Sequence, residues 1–211
     1  MNSSGRIQRL ASALLAVSCG ATNIGAQSRQ LVGVQGSALV TSLSGEAFDR
    51  LRIGTGMGGE FQIRVNPSFF SLGAGVQVTQ HRSTGQGLSN KMTLVGYFVE
   101  PRYLIPLDNS IVRPYLAGRI ARLRQSTDLE DIGTTFLVKA SATAIGGGGG
   151  FVAKITQFIG FDLGLAATTA NFGTFRYRDT GLDSGLDAGS GVSFVVKAGL
   201  NIGIGTGTGK K

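Results

Sequence analysis

Eight stretches of this 211-residue chain alternate apolar with polar residues, and the connectors between them alternate short with long. Strand side chains point to opposite faces in turn, so a sustained period of two builds a sheet with one apolar and one polar face. The clearest unit is Val95 to Arg124, two such runs joined at Pro106 to Ile111. In the first run Val95, Tyr97, Val99, Pro101 and Tyr103 share a face, while Gly96, Phe98, Glu100 and Arg102 share the other. In the second, Pro114, Leu116, Gly118 and Ile120 oppose Arg113, Tyr115, Ala117, Arg119 and Ala121.

The remaining runs lie at about 31–44, 57–65, 69–81, 137–154, from 158 onward, and 192–204. Connectors after the second, fourth and sixth runs are short: Asn66 to Ser68, Pro106 to Ile111, and Ile155 to Gln157. Those after the first, third, fifth and seventh are longer and polar, at about 45–56, 82–91, 126–135 and 179–190. Chance alternation would not also sort connector lengths. Short turns at one end and long loops at the other mark a barrel that crosses a membrane. The expected fold is all-β, an eight-stranded antiparallel up-and-down transmembrane β-barrel.

A soluble barrel also alternates, but its polar phase faces water and carries Lys, Glu and Asp. Here that phase is mostly Gly, Ser, Ala, Thr and Gln with isolated ions, which suits the narrow interior of an eight-stranded barrel. Charged residues are only 15% of the chain, against about 25% in an ordinary soluble domain. No run of 18 apolar residues is present to make a transmembrane helix. The net charge of +8 is scattered rather than gathered in a run, which argues against nucleic acid as a partner.

Met1 to Ala26 reads as a secretory signal: Arg6 and Arg9, then the apolar Leu10 to Val17, then Ile24-Gly25-Ala26 as a cleavage site. Cys19, the only cysteine, loosely matches a lipid-acylation site. Cleavage after Ala26 removes that cysteine and leaves a charge of +6, so no disulfide or thiol chemistry is expected. The expected division is 1–26 signal, 27–204 barrel and 205–211 flexible tail.

Phase places Glu60, Glu100 and Asp162 inside, with Arg64, Arg102, Arg113, Arg119 and Lys197. Buried charge is costly unless it is paired and hydrogen-bonded. An interlocked network is therefore expected, with Glu100 meeting Arg119 or Arg102, acting as a plug that holds register and blocks flow. Pro101 and Pro114 lack a ladder donor and are expected at the rim near the short turn, at bulges.

The run Glu-Pro-Arg-Tyr at 100–103, followed by Arg-Pro-Tyr-Leu-Ala-Gly at 113–118, resembles the outer-membrane β-barrel domain family. Its members include small eight-stranded proteins similar to the OmpA transmembrane domain and to OmpX. The resemblance spans about Leu31 to Ile204 and implies the cell outer membrane as the location. A second likeness is Lys197-x-Gly199-x-x-Ile202-x-Ile204, which resembles the signal read in a final strand by the outer-membrane assembly machinery. The family usually ends on an aromatic residue; Ile204 stands there instead. Expected partners are outer-membrane lipid and lipopolysaccharide, and that machinery during insertion.

Signals for chemistry are sparse. Gly54 to Gly59 matches G-x-G-x-x-G, but a strand and not a helix follows, so no cofactor is expected. Gly146 to Gly150 lacks the Lys-Ser/Thr of a phosphate loop and reads as a smooth patch on which a bulky neighbour such as Tyr115 packs. One histidine and no mature cysteine make a metal site unexpected, and Asp128, Glu130 and Asp131 read as a solvated loop. His81-Arg82-Ser83 has the His-x-Ser spacing of outer-membrane lipid A deacylases of the PagL type, where histidine activates serine for acyl transfer. Thr84-Gly85 follows where that family has Asn-Ala-Gly, and the bland reading of His81 is a strand end facing the rim. The favoured function is a non-enzymatic structural or surface-interaction protein. The alternatives are a deacylase using His81 and Ser83, and a small passive channel.

Overall fold

The structure, a computed structural model, describes residues 32–49, 53–67, 69–83, 91–107, 111–131, 134–156, 158–177 and 182–204. The expected signal at 1–26 and tail at 205–211 lie outside them. Eight strands follow in order: β1 Val32–Ser44, β2 Ile53–Val65, β3 Phe70–Ser83, β4 Lys91–Leu104, β5 Val112–Asp131, β6 Thr134–Lys154, β7 Ile159–Tyr177 and β8 Asp183–Ile204. A short helix, α1 Glu46–Asp49, stands between β1 and β2. Each strand pairs with the next, and β1 pairs antiparallel with β8 from Val32↔Ile204 to Ser44↔Val192, closing the barrel and leaving no edge.

Strand count and facing agree with the sequence reading, but the ends at the long-loop side do not. β5 runs to Asp131 and β6 starts at Thr134, so most of the expected loop at 126–135 is paired strand. Likewise β8 begins at Asp183, inside the expected loop at 179–190. Apolar alternation marks only where strands are surrounded by apolar medium, whereas a backbone ladder continues into water as long as both strands are extended. The barrel is therefore lopsided: β1 to β4 have 13 or 14 residues, and β5 to β8 have 19 to 22.

The prolines sit near the short turn as expected, but not at bulges. Register shifts occur at Ile53/Gly56, Lys139/Ala142 and Thr174/Arg176, all toward the opposite end. Pro101 keeps register with Leu72 of β3 and breaks the ladder only toward β5, where pairing skips from Val99↔Ile120 to Arg102↔Ala117. A missing N–H removes one bond without adding a residue, so the register is unchanged.

The outside is apolar. Phe70, Leu72, Val76 and Val78 on β3, Val95, Tyr97, Val99 and Tyr103 on β4, and Val112, Leu116 and Ile120 on β5 are all exposed. Five outward positions per strand cover roughly 26 Å along it, or about 20 Å along the axis of a tilted barrel. Beyond Ile120 the outward residues of β5 turn to Arg122 and Arg124, and on β6 beyond Ile145 to Thr143 and Ser141. A closed apolar band of this extent is far larger than the patches that water-soluble monomers expose, and its height approaches the roughly 25 Å of the lipid-facing band in membrane barrels.

Candidate functional site

The interior has two parts. Midway and toward the short turns, a charged cluster fills the barrel. Glu100 on β4 lies at its centre and is met by cations from four strands. Its Oε1 accepts from Arg64 Nη2 at 2.9 Å, Arg102 Nε at 2.8 Å and Lys197 Nζ at 3.0 Å. Its Oε2 accepts from Arg119 Nη2 at 2.6 Å and Nε at 2.9 Å, and from Lys197 at 3.1 Å. Arg119 Nη2 also reaches Glu60 Oε2 at 2.6 Å, and Arg102 Nη1 pairs with Asp162. All seven of these side chains are buried.

Polar and aromatic neighbours hold the cluster in place. Gln77 accepts from Arg119 at 2.9 Å, Gln62 from Arg64 at 2.8 Å, and Ser71 from Arg64 at 2.9 Å. Tyr115 donates to Asp162 at 3.0 Å, and the Arg102 guanidinium lies 4.2 Å from the Tyr115 ring centre. Arg119 lies 3.9 Å from the centre of the Phe98 ring. A guanidinium over an aromatic face is favourable, more so when desolvated.

Room for these long side chains comes from glycines across the ladder. Arg64 and Glu100 both pair with Gly73, Arg119 with Gly146, Tyr115 with Gly150, Asp162 with Gly199, and Lys197 with Gly164. A Cβ at Gly73 would stand 2.7 Å from Arg64 Nη2, and one at Gly164 would stand 2.5 Å from Tyr115 Oη. An eight-stranded interior is only just wide enough for side chains, so most of these residues take a bare backbone opposite, while Arg102 faces the small Ser71 and Ala117.

Toward the long-loop end the interior becomes apolar. Leu43, Met92, Leu94, Ala121, Leu123, Ala144, Ala170 and Phe172 belong to one buried cluster, and α1 closes it from above. Gly45, at φ +103°, turns the chain into α1, and Phe48 packs edge-on against Phe172 with ring centres 5.7 Å apart. Between this roof and Arg119 lies a cavity of about 30 Å³, lined in part by Thr41, whose buried hydroxyl has no hydrogen-bond partner among the described residues.

Of the eight charges assigned to the interior by phase, seven meet in this cluster. Arg113 does not: it stands on the inward phase at the short-turn mouth, half-buried, with no ion pair to a described acid. Phase gives the face a residue points to, not its height in the barrel. Tyr115, Phe98, Gln62, Gln77 and Ser71 were not singled out as part of the site, although each shares the polar phase. Two aromatics on that phase among arginines were the available signal.

His81 faces inward and is buried rather than at the rim, because β2 pairs alongside it up to Ile53↔Ser83. Its Nδ1 lies 3.2 Å from the Gly54 carbonyl and its Nε2 lies 3.0 Å from Thr79 Oγ1, so both ring nitrogens are engaged. Ser83 ends β3, and its side chain lies outside the described residues. Gly54 to Gly59 is within β2, with no helix after it. Among the described residues, no group of acids, His and Cys could hold a metal ion. In the final strand, Lys197 and Gly199 point inward while Ile202 and Ile204 are exposed on the outside.

No family model matches the chain, and no curated protein matches it by sequence. Solved structures do match. Neisserial surface protein A aligns over 82% of this chain and 97% of its own, at 15% identity and a TM-score of 0.55. Ail, the attachment invasion locus protein of Yersinia pestis, aligns at 11% identity, over 81% of this chain and 97% of its own, with a TM-score of 0.49. The outer membrane protein OprG of Pseudomonas aeruginosa aligns at 13% identity, over 81% and 94%, with a TM-score of 0.49. The first of these establishes likeness of fold: the chain has the architecture of a small eight-stranded outer-membrane barrel.

Proposed function

We propose that this chain is an integral protein of the cell outer membrane with a structural or surface-interaction role and no catalytic activity. One observation carries the reading: the molecule is inside-out, with an apolar exterior band and its ionic groups clustered within. Lipid is the solvent that such a surface requires. The short turns then face the periplasm, and the long hairpins β5–β6 and β7–β8 project outward beyond the bilayer.

The side-chain-filled interior supports a closed barrel rather than a channel. Engagement of both His81 nitrogens supports a non-enzymatic reading over the deacylase one, since a general base needs a free nitrogen facing its serine. The proposed surroundings are outer-membrane lipid and lipopolysaccharide. Insertion by the assembly machinery would use Lys197, Gly199, Ile202 and Ile204.

The test is gel mobility of the detergent-refolded mature protein, with and without boiling. A folded membrane barrel resists SDS until heated and then shifts. No shift, together with solubility in the absence of detergent, would overturn the reading.

A further inference from the structure

Outside the barrel, beyond the apolar band at the long-loop end, six basic residues face outward on five consecutive strands. They are Arg82 on β3, Lys91 on β4, Arg122 and Arg124 on β5, Lys139 on β6 and Arg176 on β7. Two pairs are directly opposed across the ladder: Arg82↔Lys91 and Lys139↔Arg176. Like charges in direct opposition destabilise a sheet. Only two acids adjoin the group in register, Asp128 opposite Lys91 and Asp183 opposite Arg176. No described carboxylate forms an ion pair with any of the six, and among the described residues Arg122 donates to the Thr143 hydroxyl, at 3.0 Å. Adjacent strands are about 4.8 Å apart, so one phosphate could bridge the cations of an opposed pair with charge-assisted hydrogen bonds.

Height identifies the source of that phosphate. Arg122 pairs in register with Tyr97, an exposed aromatic, and follows Ile120, the last outward apolar residue of β5; Lys91 stands four residues beyond Val95 and Lys139 six beyond Ile145, roughly 13 and 20 Å of strand. Exposed tyrosines mark the level where lipid headgroups begin. Anions held there belong to the membrane itself.

We infer that this collar binds the phosphates of an outer-leaflet phosphoglycolipid, one bridged by Lys139 and Arg176 and another by Arg82 and Lys91, with Arg122 and Arg124 between them. The opposed cations that would strain the bare sheet then become the site. This inference rests on the membrane reading above and adds residues and a ligand class to it.

The experiment uses the full mature protein, refolded into nanodiscs of phosphatidylcholine doped with bis-phosphorylated lipid A, and reads lipid retained after detergent exchange by native mass spectrometry. The double variant K139Q/R176Q should lower retention about tenfold, and R82Q/K91Q by a similar factor, each with the heat-dependent gel shift intact. Substitution of Arg113→Gln with Lys154→Gln, at the other end of the barrel, should leave retention unchanged. Equal retention by wild type and both collar variants, with a normal gel shift, would overturn the collar while leaving the membrane reading in place. Loss of the gel shift in wild type would overturn the membrane reading. Displacement of lipid A by 50 mM inorganic phosphate, with no preference for the bis-phosphorylated over the dephosphorylated lipid, would overturn the assignment to lipid.

Discussion

The two halves of the interior are closed by different physics. Near the short turns, three acids and four bases lock together through bonds of defined direction, five of the seven lying opposite a glycine. Toward the long loops, leucines, alanines and phenylalanines fill most of the same cylinder by shape, with the hydrogen-bonded pairs His81–Thr79 and Gln125–Thr127 among them. Directional contacts bind the lower half into one unit, although Gln62 Nε2, Arg64 Nε and Arg102 Nη2 are buried there without a hydrogen-bond partner among the described residues. Shape admits many arrangements, and a cavity of about 30 Å³ remains beside Thr41. Charge gives the lower half its specificity and makes it vulnerable, because removing one partner strands the rest.

That contrast can be broken at four points, here in descending order of effect. Replacing Glu100 with Ala strands four buried cations and should cost roughly 3–5 kcal/mol, read as a lowered urea midpoint for the protein in lipid vesicles. A loss under about 1 kcal/mol would mean that the charges do not act as a unit. Adding methyl groups should then cost more in the lower half than in the upper. Gly164→Ala, beside Tyr115 and Lys197, should cost about 1–3 kcal/mol by overpacking, in the same titration. Tyr115→Phe removes the hydroxyl bonded to Asp162 and should cost about 1.5 kcal/mol, with the gel shift retained. Ala144→Val, against the cavity, should change stability by less than about 0.5 kcal/mol or raise it slightly. If Ala144→Val proved as costly as Gly164→Ala, the upper half would be as tightly specified as the lower, and the comparison would fail.

Some of this site was legible before any coordinates. Glu60, Arg64, Glu100, Arg102, Arg119, Asp162 and Lys197 share one phase of their strands, and phase is a local property of an extended chain. Glu100 with Arg119 or Arg102 was the favoured pair, and the structure brings Glu100 to both of them and to Arg64 and Lys197 as well. Arg113 has the same phase yet stands apart, because height depends on stagger between strands. The apolar upper interior was not read either. Leu39, Leu43, Leu94 and Leu123 lie on the inward phase, but a leucine in an alternating run looks the same whether it faces lipid or lumen. The ends of β5, β6 and β8 extend past the apolar pattern, because that pattern reports the surrounding medium, not the reach of the ladder.

The sequence by itself determined how many strands form, which phase of the strands carries the buried charges, and that the other phase is too apolar for water. All three follow from a period of two and from composition, which need no knowledge of partners. Only the tertiary structure decided which charges meet. Glu100 gathers Arg64, 36 residues away, and Lys197, 97 away, and closure of β1 onto β8 brings Lys197 within their reach. Register across eight ladders sets those heights, and register is a property of the closed barrel as a whole, absent from any one strand.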